Sequence, residues 1–421
     1  DAAIYASSNY SGYGSSGDIV CDTNFEPESL SFAGWIFREV EALQNQVDNQ
    51  GVEYELNDDG TLTIKGTADG TVRDVVIPSE LNGTPVTHIA EGAFKNSDIK
   101  SIVIPESVVS VGKGAFEGCT DLVWVDWKSQ ADADADCFDT PEQHGNLVVF
   151  TPQEGDYAGN VVVNGVAETI TLVDARPYEA PYDYVAKSIT FTKRFAKTTA
   201  VGLSGGWEGM VVPFDVEYIQ HGERSIAPFG GTRSDDALGC WVAELNDKGE
   251  FEMVSTIRAD RPVIIAMPNS EEYDDDYNIS GDVVFSATDA QIKATPRPDL
   301  SPSQTFVLRG TYEAIEEQSK VYTLNDEIYN VLYVGDCMPG AVFVANERDV
   351  RPFEAYVFTS NPQRSATLKI GGVRPTGIET LLDIQYAPDA WYTLQGVRLN
   401  KKPVQTGFYI HGGKLEFVRQ R

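Results

Sequence analysis

Ile104-Pro105-Glu106-Ser107-Val108-Val109-Ser110-Val111-Gly112-Lys113-Gly114-Ala115-Phe116-Glu117-Gly118-Cys119-Thr120-Asp121-Leu122 decides the architecture, because its landmarks return at a fixed interval on either side. Ala93-Phe94, Ala115-Phe116 and Cys137-Phe138 lie 22 residues apart, and Val86 with Ile89 returns as Val108 with Val111 at the same interval. A constant period of this length marks an array of small stacked units. Ahead of each block stands an apolar triplet spaced i, i+3, i+5: Val72-Val75-Ile77, Ile99-Ile102-Ile104, Leu122-Val125-Trp127 and, last, Leu147-Phe150-Pro152. A unit with one short strand, one turn and a single apolar side buries that side only against its neighbours.

The triplet is the LxxLxL strand of a leucine-rich repeat. The steps from Ile104-Pro105 through Ala115-Phe116 and Gly118-Cys119 to Asp121-Leu122 resemble the BspA-type leucine-rich repeat of bacterial surface proteins. The resemblance covers residues 52–155 and keeps register at Ile77-Pro78, Ile104-Pro105 and the Ala-Phe pairs. It implies a short solenoid on an exported protein, secreted or held at the outer-membrane exterior, that recognises a host or microbial surface protein or glycan. The third repeat is degenerate. Gln130 and Ala133 stand where Val108 and Val111 would recur, and an alternating Ala-Asp run from Ala131 to Asp136 fills its convex side.

With the triplets pointing inward, alternate strand positions face outward: Asp74 and Val76, Ser101 and Val103, Trp124 and Asp126, Val149 and Thr151. Trp124, with Asp126, Ser101 and Asp74, forms the candidate binding group, since a large aromatic among small and acidic neighbours stacks on a sugar or anchors a protein contact. Burial of Trp124 against the N-terminal helix or the next domain is the competing reading.

Outward from the repeats, the chain divides into a leader with an amphipathic helix (1–50), the repeat domain (51–155), a β-sandwich-like domain (156–371) and a linker with a C-terminal β tail (372–421). Phe32, Trp35, Ile36, Val40 and Leu43 follow a helical spacing that Gly51 stops. Tyr54 to Ile64 reads as a hairpin turning at Asp59-Gly60. From about Gly159 the pattern changes to short β-like runs at Val161 to Val163, Ile189 to Phe191, Met210 to Val216, Val263 to Met267, Val283 to Phe285, Thr305 to Leu308, Asn330 to Val334, Ala341 to Ala345, Ala355 to Thr359 and Thr367 to Ile370. The fold class is therefore mainly β (α+β), a short solenoid followed by an antiparallel sandwich-like domain and a small β tail. Trp207 to Asp215 and Arg351 to Tyr356 resemble a β-module that follows such repeats in secreted proteins of anaerobic Gram-negative bacteria. Trp391 to Leu399 and Gly407 to Lys414 are similar to their C-terminal sorting or tail modules.

Composition narrows the function further. The 421 residues carry 32 Lys and Arg against 64 Asp and Glu, a net charge of −32, which repels nucleic acid and anionic lipid. No apolar run reaches the length of a membrane span. Gly202-Leu203-Ser204-Gly205-Gly206 has the spacing of a nucleophile elbow, but the β-like segment after it is not the helix such a turn needs. The four histidines, His88, His144, His221 and His411, offer no i, i+4 pair for a metal. Asp132, Asp134 and Asp136 match the first half of a calcium loop, whose second half is missing; that run and the acidic loop from Glu271 to Asp276 read as hydrated surface, with weak calcium binding the alternative. No metal or other cofactor is implied. The function expected is non-catalytic extracellular binding or adhesion, set against a glycan-processing enzyme or its carbohydrate-binding accessory module.

Overall fold

The computed structural model describes residues 45–418 apart from 69–71, 132–136, 139–144, 156, 158, 198, 200–204, 230–236, 247–250, 270–277, 296–305, 319, 332–334, 346, 360–366, 371–377, 381–390, 393–397, 400, 405–406 and 412–413. Among these residues every regular element is a strand, and no helix is long and apolar enough to cross a membrane. The helix expected over residues 31–43 lies outside the described residues. Two compact units divide the chain, residues 1–159 and 160–421.

In the first unit the expected hairpin is present. Val52–Leu56 pairs antiparallel with Leu62–Thr67, and Gly60 closes the turn at φ +83°. The solenoid follows as a parallel sheet of Asp74–Val76, Ser101–Ile104, Trp124–Trp127 and Val148–Thr151. Its opposite wall is also parallel, with Thr84–Ile89 between Leu62–Thr67 and Ser110–Val111. Between the walls the three repeat phenylalanines form one column. Phe94 and Phe116 stack at 5.7 Å and 4°, Phe116 and Phe138 at 5.1 Å and 22°. The strand residues that point at this column, Val75, Ile77, Ile102, Ile104, Val125 and Trp127, are all buried. Backbone bonds climb from one coil to the next, Phe94 N to Ala115 O at 2.8 Å and Phe116 N to Cys137 O at 2.9 Å, so the 22-residue period is also the period of the hydrogen bonds.

Two glycines explain the tight spacing of the coils. A Cβ on Gly112 would sit 2.3 Å from the backbone nitrogen of Glu91, so only glycine admits this approach. Gly118 takes the left-handed conformation at φ +74°, as Asn96 does one period earlier at +57°. In the degenerate third repeat a side chain supports the coil: Ser129 Oγ donates to Val108 O at 2.6 Å and accepts from Ala131 N at 2.8 Å. The fourth strand is displaced by one residue from the sequence expectation. Val149, not Phe150, pairs with Val125, and Val148 and Phe150 fall in line with Trp124 and Asp126. All four residues of Val148–Thr151 are buried, so an apolar run without alternation leaves the phase undetermined.

The second unit is built on two twelve-residue strands, Tyr184–Phe195 and Gly281–Ile292, paired antiparallel over their full length. Val166–Ala167 and Ile170–Val173 join the first of them in parallel, and Tyr218–His221 joins the second antiparallel. The sheet continues through Arg224–Pro228, Leu238–Leu245 and Val263–Ala266 to Glu208–Met210. A second sheet orders Phe306–Gly310, Ala355–Thr359, Val321–Leu324, Val342–Ala345, Thr367–Ile370 and Ile378–Thr380. Trp207, Phe251 and Ile264 from the first sheet region share one buried cluster with Leu308, Tyr322, Phe343 and Val357 from the second, the layered core of a sandwich. The antiparallel expectation is modified by parallel pairs, including Arg224–Pro228 with Leu238–Leu245. The run expected from Met210 to Val216 leaves the sheet at Met210, because Pro213 has no N–H for a ladder and Val211 N donates instead to Phe353 O at 3.0 Å. The tail forms a four-stranded antiparallel sheet of Arg398–Leu399, Trp391–Tyr392, Gly407–His411 and Lys414–Val418.

Candidate functional site

The parallel register brings three of the four predicted site residues into one row. Asp74 pairs with Ser101, and Ser101 with Trp124. Ser101 Oγ donates to Asp74 Oδ1 at 2.6 Å, so the two side chains act as one polar unit. Asp74 is exposed, whereas Ser101 is 2% exposed and works as a support for the carboxylate. Asp126 lies in the neighbouring row beside Val103, is 6% exposed, and pairs with Lys128 at 3.4 Å. Trp124 is half-buried. Its indole Nε1 is shielded and meets no acceptor among the described residues. A donor held away from water without a partner costs about 1–3 kcal/mol. Exposed Val76, at 55%, and half-buried Val103 complete an apolar strip beside the row. This face offers one aromatic surface and one anchored carboxylate.

The remaining sequence candidates fall elsewhere. Ser204 and both acidic runs lie outside the described residues, and no cluster of three His, Cys, Asp or Glu able to hold a metal occurs among the described ones. His88 is half-buried with Nδ1 2.7 Å from Thr87 Oγ1.

A second feature escaped the sequence reading. In the 160–421 unit a cavity of about 390 Å³ is walled by Lys193, Glu208, Asp326, Arg348, Arg351 and Glu354, among others. Glu208 belongs to the Trp207–Asp215 motif, and Arg351 with Glu354 to the Arg351–Tyr356 motif, so the two segments singled out in the sequence converge on one cavity. Gly209 permits the approach, since a Cβ there would lie 2.0 Å from Ala355 O. Lys193 Nζ sits 2.6 Å from Asp174 Oδ2 and 3.4 Å from Glu208 Oε2. Burial works to lower its pKa, yet these carboxylates outweigh it and hold the ammonium above the ordinary lysine value. Arg348 donates to both oxygens of Glu354, at 2.6 and 2.9 Å. Burial would raise the carboxyl of Asp326, but Lys197, Arg348 and Arg351, at 3.1, 3.1 and 2.7 Å, keep it below the usual range.

With this geometry in view, comparison with known proteins locates the repeats. The family model described as the BspA type leucine rich repeat region, in six copies, matches residues 84–140. Three solved structures are similar to part of the chain. A leucine-rich repeat protein from Bacteroides capillosus shows 23% identity over 27% of this chain and 87% of its own, with a TM-score of 0.19. The T. pallidum leucine rich repeat protein shows 20% identity over 30% of this chain and 53% of its own, at 0.20. A leucine rich cell surface protein from Faecalibacterium prausnitzii shows 22% identity over 30% and 36%, at 0.21. No curated protein matches the chain. The family match, the hydrogen-bonded 22-residue period and the phenylalanine column coincide on the same residues, so residues 84–140 are similar to the BspA-type leucine-rich repeat region in both sequence and build.

Proposed function

We propose that this protein is a non-catalytic recognition protein of the bacterial cell exterior, whose repeat sheet takes a surface protein or glycan through the row of Asp74, Ser101 and Trp124. The observation that carries the reading is the row itself, in which the half-buried ring of Trp124 stands in register with Ser101 and the exposed Asp74. The open part of the ring covers apolar ligand surface. Asp74, fixed by Ser101, accepts from ligand hydroxyl or amide donors without first losing rotamer freedom. The placement at the cell exterior rests on the kind of protein in which such repeats occur, and on an acidic surface suited to staying soluble there.

The test is binding of the full chain to arrays of immobilised glycans and bacterial surface proteins, with Trp124→Ala and Trp124→Phe beside it. Loss of the bound signal in Trp124→Ala and an intermediate signal in Trp124→Phe, which keeps a smaller ring, support the reading. Unchanged binding by Trp124→Ala removes the role of this face, and turnover of any arrayed glycan removes the non-catalytic assignment.

A further inference from the structure

We infer that the cavity of the 160–421 unit is a binding site for a small carboxylate-bearing sugar, of the uronic-acid kind, a role independent of recognition by the repeats. Charge sets the class of ligand. Over the whole chain acids outnumber bases two to one, yet the cavity wall carries five cations, Lys193, Arg194, Lys197, Arg348 and Arg351, against four carboxylates. The cations are also unevenly shared. Asp326 and Glu354 together receive the three cations Lys197, Arg348 and Arg351, while Lys193 is held between two carboxylates, Asp174 and Glu208. One side of the cavity therefore has cationic capacity beyond its own carboxylates, and the other has carboxylate oxygens in excess.

That division matches the two ends of an acidic sugar. A ligand carboxylate meets the more than half exposed guanidinium of Arg351, whose planar fork suits it, and Asp174 and Glu208 accept from ring hydroxyls. Arg348 Nε is buried and, although 3.1 Å from Asp326 Oδ2, makes no aligned hydrogen bond. About 390 Å³ is within the range of small-molecule sites and holds one monosaccharide.

An independent observation comes from the backbone. Phe353 adopts φ +64°, a conformation that costs a bulky side chain energy and persists only where its surroundings enforce it. Here the ring is fully buried, stacks on Phe191 at 4.8 Å and meets Tyr312 edge-on at 5.2 Å, while its N–H donates to Thr311 O at 2.7 Å. The turn so enforced holds Arg351 and Glu354 together on the cavity wall, and Arg351 N donates to Glu354 Oε2 at 3.0 Å. Strain kept at the edge of a charged cavity is a feature of functional sites more than of structural turns.

The experiment is calorimetric titration of the full chain with D-glucuronate, with D-glucose and inorganic phosphate as separate probes. Arg351→Gln, at a side chain more than half exposed, tests the site without removing a buried group, and Lys293→Ala, a surface cation away from the cavity, is the control. Expected are saturable heat with glucuronate alone, binding about tenfold weaker in Arg351→Gln, and no change in Lys293→Ala. Circular dichroism confirms that each variant is folded, and Lys197→Ala replaces Arg351→Gln if that one is not. Absence of glucuronate binding, equal binding of glucose, phosphate binding in its place, or unaltered affinity in the folded cavity variant each overturns the proposal.

Discussion

Gln50 stands against Val76 as a peptide group of an additional strand would: Val76 N donates to Gln50 Oε1 at 3.0 Å, and Gln50 Nε2 donates to Val76 O at 3.0 Å. Asp74–Val76 is the last strand of the parallel repeat sheet, so one side-chain amide occupies an edge that otherwise invites pairing with another chain.

Replacing that amide tests its role. Gln50→Ala is expected to lower stability by about 1–2 kcal/mol, the value of two partly exposed hydrogen bonds, and to increase self-association of the chain. Urea denaturation and sedimentation velocity read the two effects. Gln50→Glu keeps the acceptor for Val76 N and loses the donor, so it should fall between the two.

The phenylalanine column makes a graded prediction. Phe116 is fully buried and stacked on both sides, whereas Phe138 ends the phenylalanine column at 6% exposure. Phe116→Ala should cost about 3–5 kcal/mol as a core truncation, and Phe138→Ala less. Equal denaturation midpoints for the two variants would contradict the stacking order.

Gly118 gives a conformational test. Its left-handed backbone and the Asn96 side chain, 2.1 Å from where a Cβ would stand, both oppose substitution. Gly118→Ala is expected to cost about 1–2 kcal/mol from the backbone alone. Asn96→Gly, at the matching position one period earlier, should be close to neutral in the same thermal unfolding assay.

Asp326 predicts a pH dependence. Its folded pKa lies below the unfolded value, so its contribution to stability is present above the ordinary carboxylate range and is lost as pH falls through the folded value. Asp326→Asn should therefore flatten the acid limb of the stability profile and, by leaving Lys197, Arg348 and Arg351 without their shared carboxylate, cost about 2 kcal/mol at neutral pH once partial exposure is allowed for. Lys193 acts on the opposite limb. Its raised value keeps its contribution intact up to the ordinary lysine pKa, with loss only as pH rises through the folded one.

Much of the repeat region was legible in the sequence because one signal served twice: the spacing that places Phe94, Phe116 and Phe138 in the core also sets the backbone ladder. The row of Asp74, Ser101 and Trp124 followed from that register, but the burial of Ser101 and Asp126 did not, since alternation assigns a face and says nothing of what covers it. Tyr184–Phe195 was read only as Ile189 to Phe191, because Lys187 and Lys193 interrupt the apolar pattern, and Lys193 is a buried cation that periodicity treats as surface. The cavity was not legible. Asp174, Lys193, Glu208, Asp326, Arg348 and Glu354 come from distant segments, and only strand pairing brings them together.

The long strand pair also sets a timetable for folding. Tyr184–Phe195 and Gly281–Ile292 join residues 86 to 108 positions apart, whereas each coil of the solenoid closes on a neighbour about one period away. Distant closure is slow and local closure fast. In pulse-labelled refolding, amides of residues 84–131 should gain protection well before those of the two twelve-residue strands, leaving the acidic chain half-finished, with its repeats assembled and its charged cavity still unmade.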